Sequence, residues 1–226
     1  MQKIDHEYRV HKFGGSSLAN TERFIALKLL LNGKNEIIVV SAVQGTTTTL
    51  QAIVDAAKEG APFLQTLENL EKKHFNLINT LLSGNKSVDI ITLIQKDFTE
   101  IKDILHSVQL MGSCSKEIQD FVLGYGEIWS AKILSYYLSE YSNVIYLDAS
   151  TVLSIYEKNG MKCIDWQKSQ TALDSFLENK AFDQIVITGF IASTLNNLRK
   201  HKTVLFLILC STLSISLHFT SLDGLG

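Results

Sequence analysis

The sequence predicts an α/β domain in which helices cover both faces of a mostly parallel central sheet, a three-layer α-β-α sandwich. Short apolar, β-branched runs alternate with longer stretches whose apolar residues recur at helical spacing, which is the pattern of strands joined by crossover helices. A chain of 226 residues with 46% hydrophobic residues can bury one sizeable core. With one proline and no low-complexity linker, the chain is expected to form a single domain.

The N-terminal part is expected to hold two strands around one helix. Residues 8–13 run into glycines and predict a short strand. Apolar residues at helical spacing in 24–31 predict a helix, with Asn20 or Thr21 as its N-cap. Residues 36–41 (EIIVVS) are apolar and β-branched, as expected for a parallel strand that is buried on both faces.

The remainder of the chain is predicted to be mainly helical. The apolar periodicity indicates helices at 48–58, 63–81, 98–108, 118–123, 128–138 and 171–177, with strands at 144–147 and 184–190. Gly124 and Gly126 predict a break between 118–123 and 128–138, because glycine weakens a helix interior. His74 lies on the apolar side of its helix and is interpreted as a core histidine rather than a ligand.

Composition argues against several classes of function. The net charge is -2 and charged residues make up 19% of the chain, so nothing indicates a nucleic-acid partner. The three cysteines are far apart and form no C-x-x-C pair, which argues against a disulfide framework and a zinc site and favours a reducing cytoplasm. Residues 1–10 lack the apolar stretch of a secretory signal.

A first candidate site is the segment 12–17 (KFGGSS), where the first strand ends. Gly14 and Gly15 let the backbone approach a ligand closely, and backbone N–H groups can point into one small volume. Ser16 adds a hydroxyl donor and Lys12 a positive charge, so the combination suits phosphate oxygens. The segment is neither a Walker A loop nor a G-x-G-x-x-G fingerprint, and an ordinary turn is the alternative interpretation.

A second candidate site is the segment 41–49 (SAVQGTTTT), which follows the buried strand and opens a helix. Ligands of open α/β sheets bind beyond the carboxyl ends of the strands, and hydroxyls at a helix N-terminus can hold an anionic group. Alternatively, Thr46 or Thr47 caps the helix. Both interpretations can hold if they apply to different threonines.

The segment 124–127 (GYGE) places Glu127 at the predicted start of a helix. There the carboxylate gains from the helix dipole whether or not it has a function. The functional alternative is that Glu127 binds a cationic group, such as the ammonium of an amino acid. Asp148 and the segment 188–191 (TGFI) also follow strands at the edge where sites form, although plain strand termination explains them equally well.

Taken together, these segments resemble the aspartokinase branch of the amino acid kinase family. Residues 10–18 (VHKFGGSSL) fit that family's opening signature at each defined position. Residues 41–50 resemble its next loop, and Gly126 with Glu127 resembles its Gly-Glu pair. The segments 147–149 and 186–191 resemble its later strand ends in the right order.

The resemblance runs from about residue 8 to residue 193, and residues 98–127 are especially similar to kinase domains fused to homoserine dehydrogenase. It implies transfer of the γ-phosphoryl group of Mg-ATP to the β-carboxylate of L-aspartate, giving 4-phospho-L-aspartate for lysine, threonine and methionine biosynthesis. The carboxylate nucleophile is already ionised at neutral pH, so catalysis needs positioning and charge neutralisation rather than a strong base. The implied partners are L-aspartate and ATP, and a homo-oligomer is an open alternative.

The resemblance also implies a role for each site residue. Lys12 would be the catalytic residue that stabilises charge on the transferring phosphoryl group. The ATP phosphates would be held by Lys12 together with Gly14, Gly15 and Ser16. Thr47 would contact aspartate, and Glu127 would bind its α-ammonium group. No protein metal ligand is implied, because Mg²⁺ would be held mainly through the nucleotide phosphates. Thr48 departs from the family, which usually has Asn or Asp there.

Residues 1–195 are therefore expected to be the N-terminal part of an amino acid kinase domain, and 196–226 an atypical tail. The family continues with a G-R-G-G-S-D or G-R-N-G-S-D loop around the phosphates, whereas here basic residues and an apolar Ser/Leu-rich stretch follow Asn197. A frameshift near Asn197 is one hypothesis, and another reading frame just downstream should then encode a G-R-x-G-S-D loop. A spanning helix needs about 20 predominantly apolar residues, and residues 204–219 are fewer and carry several hydroxyls. A membrane anchor formed by this segment is therefore an unfavoured alternative.

Two other functions stay open. One is a different amino acid kinase, such as a glutamate 5-kinase-like enzyme, against which KFGGSS and the pair Gly126-Glu127 argue. The other is a non-catalytic remnant or partner-binding fragment of such a kinase, which the absence of the glycine-rich phosphate loop from the sequence favours.

Overall fold

The computed structural model describes residues 8–158, 161–189, 191–194 and 199–201. The first sheet contains β1 (Arg9–Phe13), β2 (Glu36–Val40), β3 (Val144–Leu147) and β6 (Gln184–Thr188). The second contains β4 (Ser154–Lys158), β5 (Met161–Ile164), β7 (Ile191–Thr194) and β8 (Arg199–His201). The helices are α1 (Thr21–Leu30), α2 (Thr46–Lys58), α3 (Leu64–Leu81), α4 (Gly84–Met111), α5 (Lys116–Leu138) and α6 (Trp166–Leu177).

The first sheet is parallel throughout and has the strand order β1-β2-β6-β3. Its two central strands, β2 and β6, are buried at every residue, which is why the apolar residues 37–40 and 185–187 follow one another without alternation. The second sheet has the order β5-β4-β7-β8 and mixes antiparallel with parallel pairs.

Each face of the parallel sheet packs against helices. On one face, Phe13, Ile38, Val40 and Val186 join apolar residues of α1 to α5 in what we call the large core. On the other face lies the small core, which contains Val10, Ile37, Val39, Ile185 and Ile187 together with Leu173 of α6. The predicted three-layer α-β-α arrangement with a parallel central sheet is therefore confirmed.

Several helix ends and lengths differ from the sequence-based expectations. Asn20 caps α1 as predicted, with its side chain accepting a hydrogen bond from the Arg23 N–H. In contrast, no threonine caps α2, because Gly45 occupies the N-cap position with a left-handed φ of 81°. The predicted helix at 98–108 is only the C-terminal part of α4, which begins at Gly84.

The predicted helix break at Gly124 and Gly126 is wrong. A single helix, α5, runs from Lys116 to Leu138 without interruption. Glu127 therefore lies in the middle of a helix, where the dipole of a helix N-terminus does not act on it. The antiparallel pair β4–β5 was not expected either, since its residues mix charged with apolar side chains.

A buried hydrogen-bond network crosses the sheet at the N-terminal ends of its strands. The fully buried Glu36 carboxylate accepts from the Gly33 N–H and the Asn32 N–H, each at 2.9 Å. It also accepts from Gln184 Nε2 at 2.7 Å and lies 3.1 Å from His11 Nε2. Burial by itself raises the pKa of Glu36, but these hydrogen bonds outweigh it and the pKa lies below its ordinary value.

His74 is a core residue, as predicted. Its ring is fully buried against Trp129, with ring centroids 5.0 Å apart, and Nδ1 lies 2.8 Å from the Leu70 carbonyl oxygen. Burial lowers the pKa of His74 from 6.5 to about 4, although the hydrogen bond to Leu70 acts in the opposite direction. The ring is therefore neutral at pH 7, with its proton on the nitrogen that faces the carbonyl.

The buried His74 makes stability fall in mild acid. The unfolded side chain takes up a proton near pH 6.5, whereas the folded one does so only near pH 4, so the unfolded state binds more protons between these values. We expect the free energy of unfolding to decrease by about 2 kcal/mol between pH 7 and pH 5. Urea unfolding at both pH values measures it, and in His74→Phe this decrease should largely disappear. An equal decrease in the variant would contradict the assignment.

Most of the predicted tail lies outside the described residues. Only the backbone of 199–201 is described there, as β8. Helices in the described part of the chain all fall short of the length or the apolar character that crossing a membrane requires. The segment 204–219 lies outside that part, so its sequence-based interpretation is not tested.

Candidate active site

The first two candidate segments meet at the carboxyl ends of two neighbouring strands. Parallel pairing of β1 with β2 brings Phe13 and Val40, their last residues, side by side. The Ser41 N–H donates to the Phe13 carbonyl oxygen at 3.0 Å, which extends the pairing beyond both strands. The segment 14–18, here called the first loop, therefore lies beside the segment 41–45, the second loop. This is the edge where open α/β sheets bind ligands.

The first loop folds into a tight turn. The Ser17 N–H donates to the Gly14 carbonyl and the Leu18 N–H donates to the Gly15 carbonyl, each at 3.1 Å. The turn buries Leu18 completely and leaves Ser16 exposed. The apolar end of the segment thus anchors it, and its glycine and serine end faces the space beyond the strands.

The second loop turns sharply into α2. Gly45 has a φ of 81°, a conformation that side chains rarely adopt, and the Thr46 N–H donates to the Val43 carbonyl at 2.9 Å. The consecutive threonines consequently face different environments. Thr46 is completely buried, Thr47 is half-buried and Thr48 is exposed.

A cavity of about 360 Å³ lies between the two loops and α5. Four of the predicted site residues line it, namely Gly15, Ser16, Thr47 and Glu127, and the rest of its wall comes from residues 41–45 and Thr48. Glu127 is only 3% exposed, so its carboxylate lies at the buried end of the space. Three segments that are far apart in the sequence thus supply one cavity.

Glu127 reaches the cavity because α5 packs directly on the second loop. A Cβ atom at Gly126 would lie 2.8 Å from the Ala42 Cβ and 3.3 Å from the Thr46 Cγ2. Only glycine permits this approach without displacement. Gly126 therefore makes the close contact with the second loop, and Glu127 lines the cavity. The close contact explains why a glycine is present inside a buried helix.

Two further side chains hold the second loop, and the sequence analysis missed both. The buried Ser130 hydroxyl lies 2.7 Å from the Ser41 carbonyl oxygen. The Lys73 ammonium donates to the Gln44 carbonyl oxygen at 2.7 Å, and burial lowers the pKa of Lys73. Ser130 follows Glu127 by three residues, so helical spacing would have indicated it if α5 had been recognised as continuous.

Lys12 and Gly14 are not among the residues that line this cavity. Lys12 pairs with Val39 of β2, and paired residues of parallel strands point to the same face. Because Val39 belongs to the small core, Lys12 leaves the sheet on the face opposite α5. Lys12 nevertheless stands one residue before the end of β1, at the same edge of the sheet as the cavity.

Asp148 and Thr188 do not line the cavity and make local structural contacts. The Asp148 carboxylate accepts from the Ser150 N–H at 2.9 Å and from the Ser150 hydroxyl at 2.6 Å. The Thr188 hydroxyl accepts from the Ala149 N–H at 2.8 Å. These bonds fix the turn after β3. Within the described residues, no group of three or more His, Cys, Asp or Glu side chains could hold a metal ion.

Comparison with known proteins finds relatives that share one name, bifunctional aspartokinase/homoserine dehydrogenase. The bifunctional aspartokinase/homoserine dehydrogenase 2, chloroplastic, of Arabidopsis thaliana is 28% identical over 197 residues, covering 84% of this chain and 22% of that protein. The bifunctional aspartokinase/homoserine dehydrogenase 2 of Escherichia coli is 26% identical, covering 81% of this chain and 23% of that protein. The chain thus spans about a fifth of the length of these relatives.

A solved structure shows the same fold. Escherichia coli aspartokinase III, in a crystal structure with aspartate and ADP, superposes with a TM-score of 0.79 at 20% sequence identity. The alignment covers 95% of this chain and 49% of that one. The model of the amino acid kinase family matches residues 7–211, which extends past the boundary expected at residue 195. Since this match takes in most of the sequence, the chain belongs to the amino acid kinase family.

Proposed function

We propose that the cavity is the substrate site of an aspartate kinase, which transfers the γ-phosphoryl group of ATP to the β-carboxylate of L-aspartate. The observation that carries this proposal is the convergence of Gly15, Ser16, Thr47 and Glu127 on one cavity at the carboxyl ends of β1 and β2. Groups that could donate to phosphate and a carboxylate that could bind an ammonium group line the same cavity. The product would be 4-phospho-L-aspartate.

Glu127 is the group that would bind the substrate ammonium. Its carboxylate is almost completely buried yet lines the cavity. A charge pair formed in such a desolvated place is much stronger than one in water. Thr47 is half-buried, lines the same cavity and would offer its hydroxyl to the aspartate. Together they would orient the β-carboxylate towards the first loop.

The phosphates of ATP would lie against the first loop. Gly15 leaves room for close backbone approach, and Ser16 presents an exposed hydroxyl to the cavity. We place Gly14 in the same segment and assign charge neutralisation to Lys12, whose side chain would extend past the end of β1. Mg²⁺ would arrive with the nucleotide and supply further charge neutralisation. Because the nucleophile is an ionised carboxylate, positioning and electrostatics suffice for the reaction.

The proposal is tested by trapping the product. The purified chain is incubated with Mg-ATP and hydroxylamine, which displaces phosphate from an acyl phosphate to give a hydroxamate, and ferric ion added afterwards forms a coloured complex with it. L-Aspartate is compared with L-glutamate as the substrate. We expect hydroxamate with L-aspartate and little with L-glutamate. The opposite preference would indicate a glutamate 5-kinase-like enzyme.

Calorimetry with Mg-ATP separates a kinase from a non-catalytic remnant. A remnant should bind neither Mg-ATP nor L-aspartate, even at millimolar concentrations, and would form no hydroxamate. If the chain binds both ligands but forms no hydroxamate, the substrate site is supported and the proposal that this chain is an active kinase is contradicted. A cytoplasmic location stays a prediction, since the Arabidopsis thaliana relative is described as chloroplastic.

A further inference from the structure

The first loop and α5 both lie close to Ala42, a small residue of the second loop. Ala42 is 5% exposed and lines the cavity. On one side, a Cβ atom at Gly15 would lie 3.2 Å from the Ala42 carbonyl oxygen. On the other side, a Cβ atom at Gly126 would lie 2.8 Å from the Ala42 Cβ. Neither contact has room for one more methyl group without a shift of the backbone.

A hydrogen bond holds this contact closed. The Ser130 hydroxyl, on the turn of α5 that follows Glu127, lies 2.7 Å from the carbonyl oxygen of Ser41. Ser41 directly precedes Ala42, so the bond ties α5 to the second loop beside the contact. Ala42 thus lies between the first loop and the turn of α5 that carries Glu127. Protein interiors transmit such small displacements because they are close-packed.

We propose that Ala42 is a specificity-determining spacer that sets the length of the amino acid substrate. This inference rests on the proposed function, in which the first loop holds the phosphates and Glu127 holds the α-ammonium group. The substrate must span that separation with its carbon chain. Aspartate has one methylene between its α-carbon and the reacting carboxylate, and glutamate has two. A fixed short separation would admit the first and reject the second.

The expected preference for L-aspartate over L-glutamate follows from the free energy that one methylene group contributes in a rigid pocket. Such a difference corresponds to roughly 10-fold to 200-fold in binding or turnover. The unaltered chain should therefore bind L-aspartate at least about tenfold more tightly than L-glutamate. The preference is expressed as the dissociation constant for L-glutamate divided by that for L-aspartate. Variants that alter the contact between Ala42 and α5 should change this ratio more than they change stability or phosphate binding.

Two substitutions and their combination test the spacer. Gly126→Ala places a methyl against Ala42 and should push α5 outwards, which lengthens the separation. We expect L-aspartate to bind about tenfold more weakly and L-glutamate to change less than about threefold, so that the ratio falls. Ala42→Gly removes the spacer methyl and lets α5 approach the second loop more closely, so the separation should not lengthen and the preference for L-aspartate should not fall. The double variant Ala42→Gly with Gly126→Ala keeps one methyl in the contact and should restore the preference.

Ser135→Ala is the matched control for a merely structural effect. Ser135 is buried in the same helix, but its hydroxyl donates to the Lys132 carbonyl within α5 at 2.8 Å. Its loss should lower stability without changing the ratio of the two dissociation constants. Calorimetric titration of each folded variant with L-aspartate and L-glutamate provides the readout, and thermal unfolding monitors stability.

The outcomes distinguish the spacer from the proposed function. If the unaltered chain binds L-aspartate but Gly126→Ala keeps its preference, or Ala42→Gly lowers the preference as much as Gly126→Ala does, the spacer is refuted and the kinase site stands. A double variant no better than Gly126→Ala alone would equally overturn the spacer. If the unaltered chain binds neither amino acid, the proposed function fails and the spacer fails with it. If Gly126→Ala does not fold, a loss of the preference for L-aspartate in Ala42→Gly or in the double variant would refute the spacer.

Discussion

Replacing Glu127 with glutamine is expected to weaken binding of L-aspartate by about 2–5 kcal/mol, or roughly 30-fold to several thousand-fold. The carboxylate is 3% exposed and lines the cavity. In the variant, a substrate ammonium would be desolvated opposite a neutral amide, which replaces an ion pair by a single hydrogen bond at most. Isothermal titration of the folded variant with L-aspartate measures the change.

Asp120→Asn is the matched control for this prediction. Asp120 is another buried carboxylate of α5, but it pairs with Lys116 at 2.8 Å and does not line the cavity. Its substitution should lower stability and leave the affinity for L-aspartate within about twofold, since distant sites act independently. Equal losses of affinity in the two variants would mean that Glu127 acts through the folding of α5 rather than through the substrate.

Replacing Glu36 with alanine is expected to lower the free energy of unfolding by about 3–5 kcal/mol. The carboxylate accepts from the backbone of Asn32 and Gly33 and from Gln184, and it lies beside His11. Removing it leaves these buried donors without their acceptor, and each unsatisfied group costs about 1–3 kcal/mol. Urea unfolding followed by circular dichroism gives the value.

Glu68→Ala provides the comparison, because Glu68 is exposed in the middle of α3. Its effect should stay within about 0.5 kcal/mol. A loss below about 1 kcal/mol in Glu36→Ala would show that the network can rearrange or take up water. The lowered pKa of Glu36 also predicts a second acid-sensitive range. Its stabilisation is lost only as the pH falls below 4.5, the ordinary value of the carboxyl, whereas the effect of His74 begins near pH 6.5 and ends near pH 4.

The strands that carry the site were predictable because burial on both faces leaves a continuous apolar sequence. β2 and β6 are such runs, and the segment 144–147 was predicted with the bounds that β3 has. The first two candidate segments could be placed together for the same reason, since each follows a parallel strand. The strand order β1-β2-β6-β3 was not predictable, because it depends on contacts between residues far apart in the chain.

The errors of the sequence analysis arise where tertiary contacts override local preference. Gly126 disfavours a helix by about 1 kcal/mol relative to alanine, yet α5 continues through it because the missing side chain allows contact with Ala42. Thr46 has a good capping side chain, but Gly45 already makes the turn and Thr46 is buried in the first turn of α2. Gly126 therefore marks close packing inside a continuous helix, and Gly45 marks the tight turn with which α2 begins.

The central claim is that one cavity holds the ammonium of an amino acid at Glu127 and the phosphates of a nucleotide at the first loop. Its most direct test is nuclear magnetic resonance of the labelled chain, with the amide signals followed during titration. L-aspartate should shift the signals of Thr47 and Glu127, and Mg-ATP those of Gly14, Gly15 and Ser16. Shifts confined to other parts of the molecule, or none with either ligand, would contradict the claim.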